Sequence, residues 1–225
     1  MHINCSIMEQ RKGPFVFVVD RVFKKNGLVV MSLLFDIISP LYGTVYRIQT
    51  RHYKKVLDKM SSHIMLPNYE KVLDYGCGTG ALAYALSQRG HKVTGIDASV
   101  GMLRVAKRKT RKANRAIDLL KVERDERLPF ADKSFDLVIS SFVIHALKPG
   151  QRQWVYKELR RVSKGLIIFH DYNEKRGIIS DVVEFIEAGD YFNFIKVAKE
   201  EMEAFFGQVE IVDIKKQTAW YIIRL

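Results

Sequence analysis

The sequence predicts an α/β fold: a seven-stranded, mostly parallel sheet with an antiparallel final strand and helices on both faces. Three observations predict it. From residue 70 onward, short β-branched runs alternate with longer amphipathic segments, the pattern of βαβ units. The first run ends in the glycine cluster "DYGCGTG", where a strand hands over to a helix. The last two runs, "VEIVDIKK" and "AWYIIRL", are joined by a connection too short for a crossover helix, so they must pair antiparallel.

Taken in order, residues 1–30 form an N-terminal extension with a polar start, a small apolar cluster "PFVFVVD" and no clear period. The extension is either a peripheral segment or chain lying upstream of a start at Met31. Residues 31–64 are expected to be a helical lid: "LLFDIISPLYG", then "TVYRIQTRHYKKVLDKMSSHI" with Val45, Ile48, Tyr53, Val56, Leu57 and Met60 at helical spacing. Residues 65–225 make the main domain. Its strands are expected at 71–75, 92–97, 116–122, 135–141, 165–172, 209–216 and 219–225. Helices fill 80–89, 100–112, 150–162 and 178–206, the last broken near Gly189.

A chain of 225 residues supports one sizeable core, and 48% hydrophobic residues exclude global disorder. Cys5 and Cys77 are the only cysteines, and a disulfide at Cys77 would block the glycine turn, so a reducing, cytoplasmic setting is expected. The apolar stretch 28–35 is interrupted by Asp36 and Pro40, far short of a membrane span, and no secretory layout precedes it. The net charge of +12 attracts nucleic acid, anionic membrane surface or acidic substrates. Within "RVAKRKTRKANR" (104–115) there are seven basic residues and no acidic one, which reads either as a solvated helix face or as an RNA or phosphate patch.

Gly76, Gly78 and Ala81 satisfy the G-x-G-x-x-G/A pattern of a Rossmann-like dinucleotide turn, so the glycines alone leave the nucleotide open. Asp74, two residues ahead of Gly76, would repel a diphosphate and attract a ligand carrying an ammonium group. S-adenosylmethionine (SAM) has that ammonium and no phosphate.

"VLDYGCGTG" followed by "VTGIDAS" resembles the first two motifs of class I SAM-dependent methyltransferases. The resemblance implies that Asp74, Gly76, Cys77, Gly78 and Gly80 flank the cofactor. It also implies that Asp97, with Ala98 after it, ends the second strand where an acidic residue binds the ribose hydroxyls. "RLPFADKSFDLVISSFVIHALK" (127–148) is similar to the form found in the small-molecule branch that contains ubiquinone and menaquinone C-methyltransferases. The polar pair that holds the adenine in relatives is displaced here, leaving Asp125, with Glu123 as substitute, for that contact. "FDIISPLYG" is similar to the branch's first helix, which makes Tyr42 a lid residue over the cofactor or simply part of a packed apolar face.

Among catalytic candidates, His145 ends strand four and is a candidate general base; His170 with Asp171 ends strand five. Cys77 is a small filler of the turn. No Cys/His/carboxylate cluster has metal-ligand spacing, so no metal is expected. Methyl transfer from a sulfonium to a small-molecule acceptor, leaving S-adenosylhomocysteine (SAH), is therefore the leading expectation. "SSFVIHAL" lacks both the Asn/Asp-Pro-Pro-aromatic signature and the Pro-Cys nucleophile of two nucleic-acid methyltransferase classes. An RNA methyltransferase remains the second reading, and a non-catalytic SAM-binding protein or an NAD-type reductase the third.

Overall fold

The computed structural model describes residues 45–111, 117–123, 125–175 and 190–225. The expected extension, Tyr42 and the first part of the lid lie outside the described residues, as do Ala116 at the start of the third expected strand and the break near Gly189.

Among the described residues the strands are β1 (Lys71–Tyr75), β2 (Lys92–Asp97), β3 (Ile117–Lys121), β4 (Phe135–Ser141), β5 (Ser163–Tyr172), β6 (Glu210–Lys215) and β7 (Thr218–Arg224). They form one sheet in the order β3-β2-β1-β4-β5-β7-β6, parallel except for β7, which runs antiparallel to both β5 and β6. The helices are α1 (45–60), α2 (Ala81–Ser87), α3 (Val100–Thr110), α4 (Pro149–Val162) and α5 (Tyr191–Phe206). This is the expected Rossmann-like architecture.

The period of two along each strand sorts side chains between two cores. Leu137 and Ile139 of β4 and Leu166 and Ile168 of β5 join Leu57, Met60, Leu82 and Leu86 of α1 and α2 on one face. Val138, Ile167 and Phe169 join Tyr156, Leu159, Phe194 and Met202 of α4 and α5 on the other. Helix starts follow local chemistry: the Ser99 Oγ accepts the Met102 N–H at 3.0 Å to cap α3. Pro149 opens α4, where the Gln151 side chain accepts the Lys148 N–H at 3.0 Å.

Most boundaries shift by a residue or two from the sequence reading, and two of the shifts have a clear physical reason. α2 starts at Ala81, because Gly80 sits at φ +73° and is the left-handed residue before the helix. β5 begins at Ser163, two residues early, because Ser163 pairs with Phe135 ahead of an irregularity in the β4–β5 ladder.

The chain order reverses at β1, with β2 on one side and β4 on the other. Open α/β sheets bind ligands at such a switch point, outside the carboxyl ends of the strands.

Candidate active site

A cavity of about 390 Å³ opens at that point. Its walls come from the turn after β1 (Gly76 to Thr79), the end of β2 (Asp97, Ala98), the segment after β3 (Val122, Glu123, Asp125) and the segment after β4 (Ser141 to Val143, His145 to Leu147). Gln49 and Tyr53 of α1 and Tyr172 at the end of β5 close it.

The turn after β1 is shaped by backbone that only glycine adopts easily. Gly76 has φ +71°, and a Cβ there would lie 2.3 Å from Val143 Cγ2, so the Val143 side chain packs directly on the Gly76 backbone. Gly78 has φ +51°, and a Cβ there would meet nothing within 4 Å. The turn is tied down from two directions. The Gly76 and Cys77 N–H groups donate to the Ile96 carbonyl at 2.8 and 2.9 Å, and the Thr79 hydroxyl donates to Gln49 Oε1 at 2.9 Å.

Asp97 braces the turn from β2: its Oδ2 accepts the Gly78 N–H at 2.8 Å and its Oδ1 accepts the Ser99 N–H at 2.8 Å. Cys77 is buried and free, and burial, with the charges of Asp74 and Asp97 behind it, holds its thiol well above the usual range. Such a thiol is a poor nucleophile.

The structure brings Gly76, Cys77, Gly78, Asp97, Ala98, Asp125 and His145 to this one cavity. It does not bring Asp74 and Gly80 to the wall. Asp74 is 1% exposed beneath the turn, where burial and then the charge of Asp97 push its carboxyl up to about 7 while the Ala83 N–H donates to it. Gly80 faces α3 instead, where a Cβ would stand 3.1 Å from Ala106 Cβ and 3.2 Å from Thr110 Cγ2.

On the opposite rim, His145 is held by a carboxylate from the neighbouring strand. Its Nδ1 donates to Asp171 Oδ1 at 2.6 Å, since an ionised carboxylate only accepts. Asp171 is fully buried and also accepts the Ile144 N–H at 3.0 Å, the His145 N–H at 3.3 Å and the Tyr172 N–H at 2.9 Å. Those donors stabilise its charge away from water. The proton on Nδ1 leaves Nε2 as the basic atom of the ring.

His170 has a different fate. It is 1% exposed, outside the cavity wall, and its Nδ1 lies 3.0 Å from Ser141 Oγ. Burial lowers its pKa to about 3, so the ring stays neutral. Ser141 continues to the Tyr53 hydroxyl at 3.1 Å, on the cavity wall.

Tyr53, Gln49 and the Asp171 partner of His145 escaped the sequence reading. Their position at strand ends or on a helix face was visible, but their pairing spans 26 to 88 residues and leaves no local signal.

A family model described as a methyltransferase domain matches residues 72–165. An uncharacterized protein of Methanocaldococcus jannaschii is 31% identical over 193 residues, covering 83% of this chain and 68% of that protein. A demethylmenaquinone methyltransferase of Paenarthrobacter aurescens is 32% identical over 139 residues, covering 60% of this chain and 51% of its own length. The chain spans about half the length of several curated relatives it matches. Among solved structures, a putative S-adenosyl-L-methionine-dependent methyltransferase of Methanococcus maripaludis superposes with a TM-score of 0.64 at 17% identity, covering 84% of this chain and 92% of the other, a likeness of fold. The chain belongs to the class I SAM-dependent methyltransferase family.

Proposed function

We propose that this chain transfers the methyl group of SAM to a small-molecule acceptor whose accepting atom gives up a proton, with His145 as the base. The observation that carries the reading is that the glycine turn, Asp97 and the Asp171-held His145 wall a single cavity.

The residues present suit SAM. The open space beside Gly78 lets a ligand lie against the backbone, as a side chain would not. Asp97 holds its carboxylate on the cavity wall by accepting the Gly78 and Ser99 N–H groups, and an ionised carboxylate is an acceptor suited to ribose hydroxyls. Asp74 Oδ2 is buried without a hydrogen-bond partner, and the positive charge of a bound SAM would offset the cost of ionising it. Asp125 and Glu123, across the cavity after β3, are the candidates for the adenine end.

When bound, SAM supplies an electrophilic methyl group on a sulfonium. The chain's own contribution is orientation and proton removal. Ser141, Tyr53 and Tyr172 line the His145 rim, where they can position an acceptor hydroxyl or acidic carbon, and Asp171 keeps His145 in the tautomer that accepts a proton at Nε2. Family membership and the demethylmenaquinone methyltransferase relative support a small acceptor.

The test is calorimetry with SAM and NADH, followed by an SAH-release screen across quinone, phenol, amine and RNA acceptors. SAM binding with turnover of a small acceptor is expected. NADH binding without SAM binding would overturn the cofactor, and turnover of RNA alone would overturn the acceptor class.

A further inference from the structure

The helix that closes the cavity carries a second, separate feature on its outer face. Gln49 and Tyr53 point α1 into the active site, while Ile48, Arg51, His52, Lys55, Val56 and Lys59 line a shallow groove of about 410 Å³ between α1 and β6. Ile214 and Lys215 supply the β6 wall. No carboxylate side chain lines this groove among the described residues.

The acids nearby are engaged elsewhere. The Asp213 carboxylate is held by Lys175 Nζ at 2.6 Å and Asn173 Nδ2 at 3.0 Å, and the Asp58 carboxylate pairs with Arg89. Lys59 is fixed in place by donating to the Asp213 and Ile214 carbonyls at 2.9 and 3.3 Å, and its charge also acts on the Asp213 carboxylate. Lys215 Nζ donates to His52 Nδ1 at 3.3 Å, so the ammonium and the imidazole meet in the groove. The groove is apolar as well as basic: Ile48 is 66% exposed, with the half-buried Ile214 beside it and the buried Val56 at its base.

We propose that this groove binds the phosphate group of an amphiphilic small molecule, with phosphate oxygens among Arg51, Lys55 and Lys215 and an apolar chain on Ile48, Val56 and Ile214. Charge complementarity selects the phosphate. The apolar residues argue for a hydrocarbon chain over a nucleic acid, whose bases stack on aromatic rings. The proposal does not rest on the methyltransferase reading.

His52 gives an internal reporter. Burial and then Lys215 lower its pKa, and an anion bound against the pair would raise it.

The experiment titrates the full chain by calorimetry with dihexanoyl phosphatidic acid below its micelle-forming concentration. Inorganic phosphate, dihexanoyl phosphatidylcholine and bulk tRNA are the comparison probes. Phosphatidic acid is expected to bind more tightly than phosphate or phosphatidylcholine and to raise the His52 midpoint in an NMR titration. Lys55→Glu and Lys215→Glu should each weaken it by about tenfold, and Ile48→Asp should weaken it too. No binding of phosphatidic acid, binding unchanged by either charge reversal, or phosphate binding as tightly would overturn the proposal. Retention of tRNA alone, lost in the same variants, would overturn it in favour of nucleic acid. Circular dichroism and thermal unfolding of Lys55→Glu and Lys215→Glu show that the variants are folded without reference to SAM, which keeps any failure here separate from failure of the cofactor assignment.

Discussion

On the glycine side of the cavity, the polar contacts come largely from backbone: Gly76 and Cys77 donate to the Ile96 carbonyl, Gly78 donates to Asp97, and Asp97 receives Ser99 two residues on. On the histidine side, side chains meet across the sheet: His145 with Asp171, Ser141 with His170, and Tyr53 with Ser141. The first rim depends on the conformation of a short turn and one neighbouring strand. The second exists only when β4, β5 and α1 are all in register. A turn of that kind suits a ligand of constant shape, whereas cross-strand side chains can change one at a time and tune an acceptor.

The largest expected effect breaks the histidine rim. His145→Ala should lower turnover by about a hundredfold to ten-thousandfold while leaving SAM affinity close to wild type, read from SAH release and calorimetry side by side. Full turnover in that variant would show that the accepting atom needs no base. Asp171→Asn should follow the same pattern, since it removes the anion that selects the His145 tautomer.

Next, Asp97→Ala breaks the glycine rim by removing the acceptor for Gly78 and Ser99. SAM affinity should fall about a hundredfold, in keeping with the loss of charge-assisted hydrogen bonds. Unchanged affinity in calorimetry would take Asp97 out of the binding site.

A smaller effect probes where the rims touch. Gly76→Ala forces a Cβ against Val143 at a positive φ and should destabilise the fold by about 2 kcal/mol in urea titrations. Adding Val143→Ala should recover the steric part and leave the cost of φ; no recovery would mean that the contact is absent in solution.

The last comparison is in the pH dependence, where the two rims have opposite signs. His170 has a folded pKa near 3, below its ordinary value of 6.5, so the unfolded chain takes up a proton first as pH falls. Its contribution is therefore present above pH 6.5 and is lost as pH drops toward 3, and His170→Asn should flatten that acid limb. Asp74 has a folded pKa raised from 3.8 to about 7, so the stability it contributes below 3.8 is lost as pH rises through 7. Asp74→Asn should stabilise the ligand-free chain above pH 7 yet weaken SAM binding; chemical denaturation across pH, with and without SAM, checks both signs.

The strands were legible because each is a short β-branched run bounded by turn residues. β1, β2 and β4 lie where the alternation places them, and the short connection before β7 forces its antiparallel course. Gly76 and Gly78 were legible as a turn because only glycine tolerates their φ. Gly80 shows the limit: it completes the same motif, but packs against α3 rather than the cavity, a fact set by helix placement.

By itself, the sequence determined the sheet, the glycine turn, the acid ending β2 and the family to which the chain belongs, because each depends on residues near one another along the chain. Only the tertiary structure decided which histidine faces the cavity. Both were expected at strand ends, but β4 stops at Ser141 and His145 lies in a short 3-10 helix, Ile144–Ala146, while His170 stays within β5; a neighbouring strand gives one a carboxylate and the other a hydroxyl in a dry pocket. Burial and charge at that distance are properties of the packed sheet, and no stretch of sequence contains them.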